Sequence, residues 1–85
     1  MIESRGKQLV GKTIVSEETG RKFGVVGDIH FIPESGELLS IVMVEPTKYS
    51  GDLNLERDEN GRFLIPFSSV KSVGDFIIVS EKEVV

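Results

Sequence analysis

The chain has 85 residues, a formal net charge of −4 and no cysteine. This length corresponds to one small domain, and the missing cysteines exclude disulfides and thiolate metal sites. The negative charge disfavours non-specific nucleic-acid binding, which normally depends on clustered positive side chains.

The balance of apolar residues favours strands and argues against a membrane span. Nineteen residues are valine or isoleucine and none is alanine, as expected where β-branched side chains pack on pleated surfaces. The longest apolar runs, Ile41 to Val44 and Phe76 to Val79, are far shorter than the roughly 20 residues that cross a bilayer. Met1 to Gly6 contains no secretory signal pattern. We therefore expect a cytoplasmic protein without direct membrane insertion.

Two strands are predicted in the first third of the chain. Gln8 to Val15 forms a short strand with Gly11 as a bend, and a polar turn follows at residues 16–20. Phe23 to Ile32 is the clearest strand, and its alternation places Asp28 and His30 on a partly wet face. The predicted core face of this strand carries Phe23, Val25, Ile29 and Phe31.

A hairpin partner with two apolar faces is predicted next. The sequence Pro33-Glu34-Ser35-Gly36 favours a turn, and Leu38 to Glu45 favours a strand. Apolar side chains occupy both parities of this strand, broken only by Ser40. A strand that is apolar on both faces must be covered on both, either by the same core or by another subunit.

The stretch from Pro46 to Gly61 is the longest irregular segment. Within it, Leu53 to Arg57 favours a short strand, and the Asn-Gly pair at positions 60 and 61 favours a hairpin turn. Tyr49, Leu53 and Leu55 are its candidate partner-contact residues. Tyr49 is equally compatible with packing back over the end of the domain, because tyrosine suits both settings.

Three short elements complete the chain. Phe63 to Ile65 is a predicted strand that Pro66 stops, and residues 68–70 favour one 3₁₀ turn. Lys71 to Val73 and Phe76 to Val79 then form a hairpin across Gly74 and Asp75. The prediction is an all-β domain of six or seven short, mostly antiparallel strands, which strand count alone permits as a small barrel or a sandwich.

No residues form a catalytic or metal-binding constellation, so we expect neither an enzyme nor a cofactor. His30 is the single histidine, and no second carboxylate is placed to work with Asp28. The acidic cluster around Asp58 lacks the spaced ligands of a calcium loop. We interpret the punctuating residues as structural, setting turns and bends; they are Gly11, Gly20, Gly24, Gly27, Asp28, Pro66 and Gly74.

Three motifs together resemble the PRC-barrel family. They are Leu9-Val10-Gly11-Lys12, the glycine-rich stretch from Gly20 to Asp28, and Ile65-Pro66-Phe67-Ser68-Ser69-Val70. The resemblance extends from Leu9 to Val79. It implies one PRC-type β-barrel domain over residues 1–85, with a core at about 9–79 and short flexible termini.

The family occurs in the reaction-centre H subunit, in RimM-type ribosome-maturation factors and in short archaeal proteins. This chain resembles the last group, since it lacks the anchor of the first and the separate N-terminal barrel of the second. The resemblance implies a homodimeric adaptor of archaeal cell division that docks a membrane-anchoring protein of the division ring. The alternative is an accessory factor for ribosome maturation or RNA processing.

The expected dimer or partner interface follows from the two-faced strand and from apolar residues near the end of the chain. Exposed apolar surface there would otherwise favour aggregation. The residues predicted to form it are Leu38, Val42, Val44, Phe67 and Phe76.

Overall fold

The computed structural model describes residues 9–53 and 55–83, with the side chains of residues 52 and 83 left aside. The regular elements of this part of the chain are seven strands and three 3₁₀ turns, which confirms the all-β prediction. The strands are β1 (Thr13–Ser16), β2 (Lys22–Phe31), β3 (Leu38–Val44), β4 (Glu56–Arg57), β5 (Phe63–Pro66), β6 (Val70–Val73) and β7 (Phe76–Val79). The 3₁₀ turns are Ser50–Asp52, Phe67–Ser69 and Glu81–Glu83.

The strands form one mixed sheet in the order β4-β5-β3-β2-β1-β7-β6. All neighbours are antiparallel except β1 and β7, which run parallel. β4 and β6 are the outer strands, and no ladder joins these two within the described residues.

Several boundaries differ from the sequence prediction. β1 begins at Thr13, because Gly11 has a φ of 91° and turns the chain before the strand; Gln8 lies outside the described residues. The expected strand from Leu53 to Arg57 shortens to the two residues of β4. β5 ends at Pro66 as predicted, and the 3₁₀ turn lies one residue earlier than expected.

A β-bulge at Gly27 shifts the side-chain alternation of β2. Gly27 and Asp28 together face Val42 of β3, so β2 has one extra residue at this point. An extra residue reverses the alternation beyond it. Val26 and Ile29, which have opposite parity in the sequence, therefore both point into the core.

The predicted core face of β2 is wrong in part because of this bulge. Phe23 and Ile29 are buried as expected. Val25, however, is only half-buried and Phe31 is exposed, while Val26, which was not assigned to that face, is almost fully buried. Simple alternation fails here because a bulge leaves no clear periodic signal in the sequence.

One face of the sheet carries the hydrophobic core. Paired residues on this face include Ile41 with both Ile29 and Ile65, and Ile14 with Ile77. They belong to one buried cluster that draws on β1, β2, β3, β5 and β7. Residues outside the strands also belong to this cluster or pack against it, namely Leu9, Leu53 and Tyr49.

A polar cluster joins the β1–β2 turn to the segment after β7. Ser16 Oγ accepts hydrogen bonds from the backbone N–H groups of Glu18 (3.1 Å) and Thr19 (3.0 Å) and donates to the Glu81 carboxylate. Glu18 in turn accepts bonds from Ser80 Oγ and from the backbone N–H of Glu81, both at 2.8 Å. The cluster ties two segments more than 60 residues apart to each other.

Candidate interaction surface

Six large apolar side chains remain exposed among the described residues, with exposed fractions from 36% to 58%. Large apolar side chains are usually buried in the core, and these six are not. Together they are the candidate interaction surface. They are Val10, Phe31, Ile32, Leu39, Val73 and Phe76.

Strand direction places all six toward the same end of the sheet, in two groups: in the ladders Phe76 is level with Thr13 and Val25, six residues before Phe31 along β2, which is roughly 20 Å. Phe31 closes β2, and its antiparallel partner β3 begins at that end with Leu39 as its second residue. β1 is antiparallel to β2 and parallel to β7, so Val10 precedes β1 and Phe76 opens β7 at this end as well. Val73 closes β6, the antiparallel neighbour of β7. We call this set the apolar end.

The β2–β3 hairpin tip holds three of these side chains outward. Phe31 pairs with Leu38 while His30 pairs with Ser40, so Leu39 is an extra residue in β3. The turn is closed by two bonds, from Ile32 N–H to the Glu37 carbonyl (2.8 Å) and from Gly36 N–H to the Ile32 carbonyl (2.7 Å). Because a bulge directs the extra side chain away from the ladder, Leu39 is the most exposed of the six at 58%.

The β6–β7 hairpin supplies the second half of the apolar end. Phe76 lies opposite Thr13 in the parallel ladder and is 53% exposed. The Gly74 turn is held by its own N–H donating to the Phe76 carbonyl (3.0 Å). Lys12 Nζ also donates to the Gly74 carbonyl, which ties the start of β1 to this turn.

The charges nearest the apolar end are mostly negative. Glu34 and Glu37 lie in the β2–β3 turn, Asp75 lies in the β6–β7 turn, and all three are exposed. No lysine or arginine occurs between residues 23 and 47. Lys12 is a basic side chain that contacts one of these turns, through the Gly74 carbonyl, and the exposed Lys71 lies in β6, two residues before Val73.

Of the predicted interface residues, Val42 requires correction. Its side chain has no exposed area within the single chain, so it is not available to a second subunit. Leu38, Val44 and Phe67 are half-buried, and Leu38 and Phe67 pack against the core. Phe76 is the one member of the predicted set that is fully available at the surface.

The predicted partner-contact loop folds back onto its own domain. Leu53 is buried in the core cluster, and Leu55 and Tyr49 pack against that cluster. Cations flank the Tyr49 ring, with Arg21 Cζ at 4.9 Å and Lys48 Nζ at 5.2 Å from its centroid. Of the two settings that the sequence left open for Tyr49, the structure therefore shows the intramolecular one.

Hydrogen bonds to two backbone carbonyls of β2 hold this loop in place. Thr47 N–H donates to the Phe23 carbonyl at 2.9 Å, and Ser50 Oγ donates to the same carbonyl. Thr47 Oγ1 bonds the Lys22 carbonyl. The loop thus caps the start of β2.

Two of the punctuating glycines lie under neighbouring side chains. A Cβ at Gly24 would lie 2.6 Å from Met43 Cγ, and a Cβ at Gly27 would lie 2.5 Å from Val44 Cγ1. Real Cβ atoms do not approach so closely, so β2 and β3 can pack at this spacing only with glycine at both positions. Gly11 and Gly20 instead have positive φ angles of 91° and 73°.

The contacts of Asp28 and Pro66 are local, and no close contact requires glycine at position 74. Asp28 Oδ1 accepts from the N–H of the next residue, Ile29 (2.8 Å), whereas the sequence suggested a bond to a neighbouring turn. The Pro66 carbonyl accepts from Ser69 Oγ at 2.8 Å at the start of a 3₁₀ turn. Gly74 has neither a positive φ nor a neighbour within 4 Å of a built Cβ.

Asp58 organises the turn in which the acidic cluster lies. Its Oδ1 accepts from the N–H groups of Asn60 (2.9 Å) and Arg62 (2.8 Å), and its Oδ2 pairs with Arg62 Nε (2.8 Å). Partial burial acts to raise the pKa of Asp58, but these bonds outweigh it and lower the pKa below its ordinary value. Its oxygens are thus engaged within the turn, and no group of three or more potential metal ligands occurs in the described residues.

The sequence prediction missed five of the six residues of the apolar end. Phe31 was placed in the core, and Val10, Ile32, Leu39 and Val73 were not assigned to a surface. One signal was present: the pairs 31–32 and 38–39 flank a turn of five residues. A two-stranded hairpin tip has too little neighbouring structure to bury four large side chains.

Residues 1–85 of the chain match the family model of the PRC-barrel domain. No curated protein matches the chain significantly. Within the described residues, no helix has the length and apolar character required to cross a membrane. Domains of the matched type are small modules that commonly mediate protein–protein interactions.

Proposed function

The chain belongs to the PRC-barrel family, and from this premise we propose that it is a small, non-catalytic, cytoplasmic adaptor whose apolar end docks another protein. The observation that carries the proposal is that six exposed apolar side chains lie toward one end of the sheet, in one group at the β2–β3 turn and one at the β6–β7 turn. In water such a surface is costly, and covering it with a partner removes that cost.

The structure supports binding more than catalysis. The carboxylates with lowered pKa lie at the opposite end of the sheet from the apolar side chains: Glu18 bonds to the segment after β7, and Asp58 bonds within its own turn. A general acid or base needs a pKa near working pH and access to substrate. Both carboxylates instead stay ionised at neutral pH and stabilise the fold.

For the partner we propose a membrane-anchoring protein of the archaeal division ring. This part of the proposal comes from the resemblance to the short archaeal members of the family. The protein then acts as a soluble link between that anchor and other division proteins, with docking as its mechanism.

For the oligomeric state we propose a homodimer that uses the second face of β3. Val44 on this face is half-buried, as are Leu64 and Pro66, the β5 partners of Val42 and Ser40. Leu38 and Phe67 contribute to the proposed interface only the part of each side chain that does not pack against the core. Val44 lies at the other end of β3 from Leu39, so a dimer centred on Val44 leaves most of the apolar end free for docking.

Affinity purification from the native cell tests the docking proposal. The bait is the tagged wild-type protein, and the test variant is Leu39→Ser/Phe76→Ser. The matched control is Leu39→Met/Phe76→Leu, which changes the same positions but keeps them apolar. The wild type and the control are expected to enrich the division anchor, and the serine variant to lose it.

Different outcomes point to different errors. Equal enrichment by the serine variant, with its circular dichroism spectrum unchanged, contradicts docking at the apolar end. Enrichment of ribosomal proteins, together with salt-sensitive RNA binding by the purified protein, favours the accessory role in ribosome maturation. Sedimentation velocity tests the dimer separately, and a monomer at all concentrations removes only that part of the proposal.

A further inference from the structure

We propose that the occupant of the apolar end is a segment of another protein that carries basic as well as apolar side chains. This inference rests on the proposed adaptor function and adds the chemistry of the partner. Its two supports are the exposed apolar side chains and the carboxylates that surround them.

The carboxylates form an acidic border around the apolar end. Glu34 and Glu37 project from the turn next to Phe31 and Leu39, and Asp75 precedes Phe76. The β2–β3 hairpin has no lysine or arginine to balance them, and Lys12 is bonded to the Gly74 carbonyl. Exposed carboxylates of this kind attract a basic partner and set its orientation more than they add affinity.

A second copy of the chain suits this surface poorly. A twofold dimer places the same patch of each subunit against the other. Glu34, Glu37 and Asp75 of one copy would then meet the same three carboxylates of its partner. Opposed like charges are unfavourable at an interface, so the acidic border selects against self-association here.

An anionic lipid surface is disfavoured for the same reason. Membrane-surface attachment normally combines apolar side chains with lysines and arginines that contact lipid phosphates. The apolar end has the first component, but its two turns carry carboxylates in place of the second. A basic, apolar protein segment satisfies both the exposed side chains and the charges.

Two fluorescent peptides of equal length provide the probe. Both have leucine at alternate positions, and the intervening positions are lysine in one peptide and glutamate in the other. We expect the lysine peptide to bind at least tenfold more tightly than the glutamate peptide, measured by fluorescence anisotropy. The affinity for the lysine peptide should fall as salt is raised, because exposed charges are screened.

Matched variants locate the binding site. Glu34→Lys/Glu37→Lys/Asp75→Lys should weaken the lysine peptide about tenfold or more and improve the glutamate peptide. The control reverses the same number of exposed carboxylates at the opposite end of the sheet, at Glu17, Glu45 and Glu59. This control changes the net charge by the same amount. If the effect is local, the control binds the lysine peptide within about twofold of the wild-type affinity, because distant exposed charges are largely screened.

Other outcomes overturn the inference. Equal weakening by both triple variants shows that net charge alone attracts the peptide, and equal binding of both peptides shows that charge plays no part. A wild-type dimer that Leu39→Ser converts to monomer in sedimentation velocity assigns the apolar end to a second copy. Binding to vesicles of anionic lipid that the same serine substitution abolishes assigns it to a membrane.

These results separate this inference from the adaptor proposal. If the lysine peptide fails to bind but the serine variant still loses the division anchor in the native cell, the chemistry assigned to the partner is wrong and the docking role stands. If the peptide binds as expected and the anchor is never recovered, the surface chemistry stands and the identity of the partner is wrong.

Discussion

Replacing Gly27 with alanine should strain one contact, between β2 and Val44 of β3. A Cβ at position 27 would lie 2.5 Å from Val44 Cγ1, 3.0 Å from Cγ2 and 3.3 Å from Cβ. All three neighbours belong to this one side chain. The φ of Gly27 is not positive, so the substitution introduces no backbone strain of the left-handed kind.

The expected cost follows from how little Val44 can move. Valine is stiff at χ1, and the segment of β3 before it pairs with β5 on the side away from β2. Overpacking of this kind costs about 1–3 kcal/mol, while the reduced freedom of the unfolded chain returns about 0.4–1 kcal/mol. Gly27→Ala should therefore destabilise the protein by roughly 1–2 kcal/mol, or about 4–16 °C in Tm for a domain of this size.

Val44→Ala should relieve most of this cost, because it removes both Cγ atoms. The double variant Gly27→Ala/Val44→Ala should thus be about 1–2 kcal/mol more stable than the sum of the single changes predicts. Gly24 provides the matched control. Its built Cβ would meet Met43 Cγ at 2.6 Å and the Val44 backbone carbonyl at 2.8 Å, neither of which Val44→Ala removes.

Urea unfolding followed by circular dichroism measures the four free energies of each cycle. The expected result is strong coupling between positions 27 and 44 and near-additivity, within about 0.5 kcal/mol, between positions 24 and 44. Additivity in the Gly27 cycle, or equal coupling in both, would refute the contact as the reason for glycine at position 27.

Two further predictions concern the polar cluster and Val42. The pKa of Glu18 is lowered by bonds from the Glu81 N–H and the Ser80 hydroxyl, so its contribution to stability is present above its unfolded value of 4.5 and disappears as pH falls through the folded value. In urea unfolding, Glu18→Gln should be less stable than wild type at pH 7 and converge with it as the pH falls below 4.5 and through the folded pKa; a pH-independent gap would contradict this. Val42→Ala should cost roughly 2 kcal/mol, from two lost methyl groups and the cavity they leave, without changing the sedimentation coefficient. If Val42→Ala instead changes the oligomeric state and keeps the stability of the wild type, Val42 belongs to the interface.

Local sequence signals were sufficient for the strands and turns of this protein. The β-branched composition and the turn residues predicted an all-β chain, and β2, β3, β5 and β7 lie close to the predicted positions. Gly74 and Asp75 form the predicted hairpin turn, and Pro66 ends its strand. These features depend on neighbouring residues, whose backbone preferences are legible without the rest of the fold.

Which side chains of each strand face the core was harder to predict, because the β-bulges left no signal in the sequence. One extra residue at Gly27 and another at Leu39 reversed the alternation on which the core assignment depended. Val26 consequently took a core position, while Phe31, the last residue of β2, lies at the exposed hairpin tip. A one-residue shift reverses every side chain beyond it, so a small local error becomes a large error in surface composition.

The predicted interface likewise separates what the sequence indicated from what the fold showed. The sequence indicated that both faces of Leu38 to Val44 needed cover, and only the fold showed that Val42 finds its cover within the chain. Leu53 likewise moved from the predicted partner-contact loop into the core. Burial depends on contacts between segments that are distant in sequence, which a local pattern does not report.

By itself, the sequence determined that this is a small strand-rich domain with PRC-barrel motifs, because composition, turn residues and family motifs are local properties of the chain. Tertiary structure alone decided where the apolar surface lies. The order β4-β5-β3-β2-β1-β7-β6 and the parallel pairing of β1 with β7 bring residues from position 10 to position 76 to one end of the sheet. No local pattern encodes that meeting, since it arises from strand direction and pairing across the whole chain.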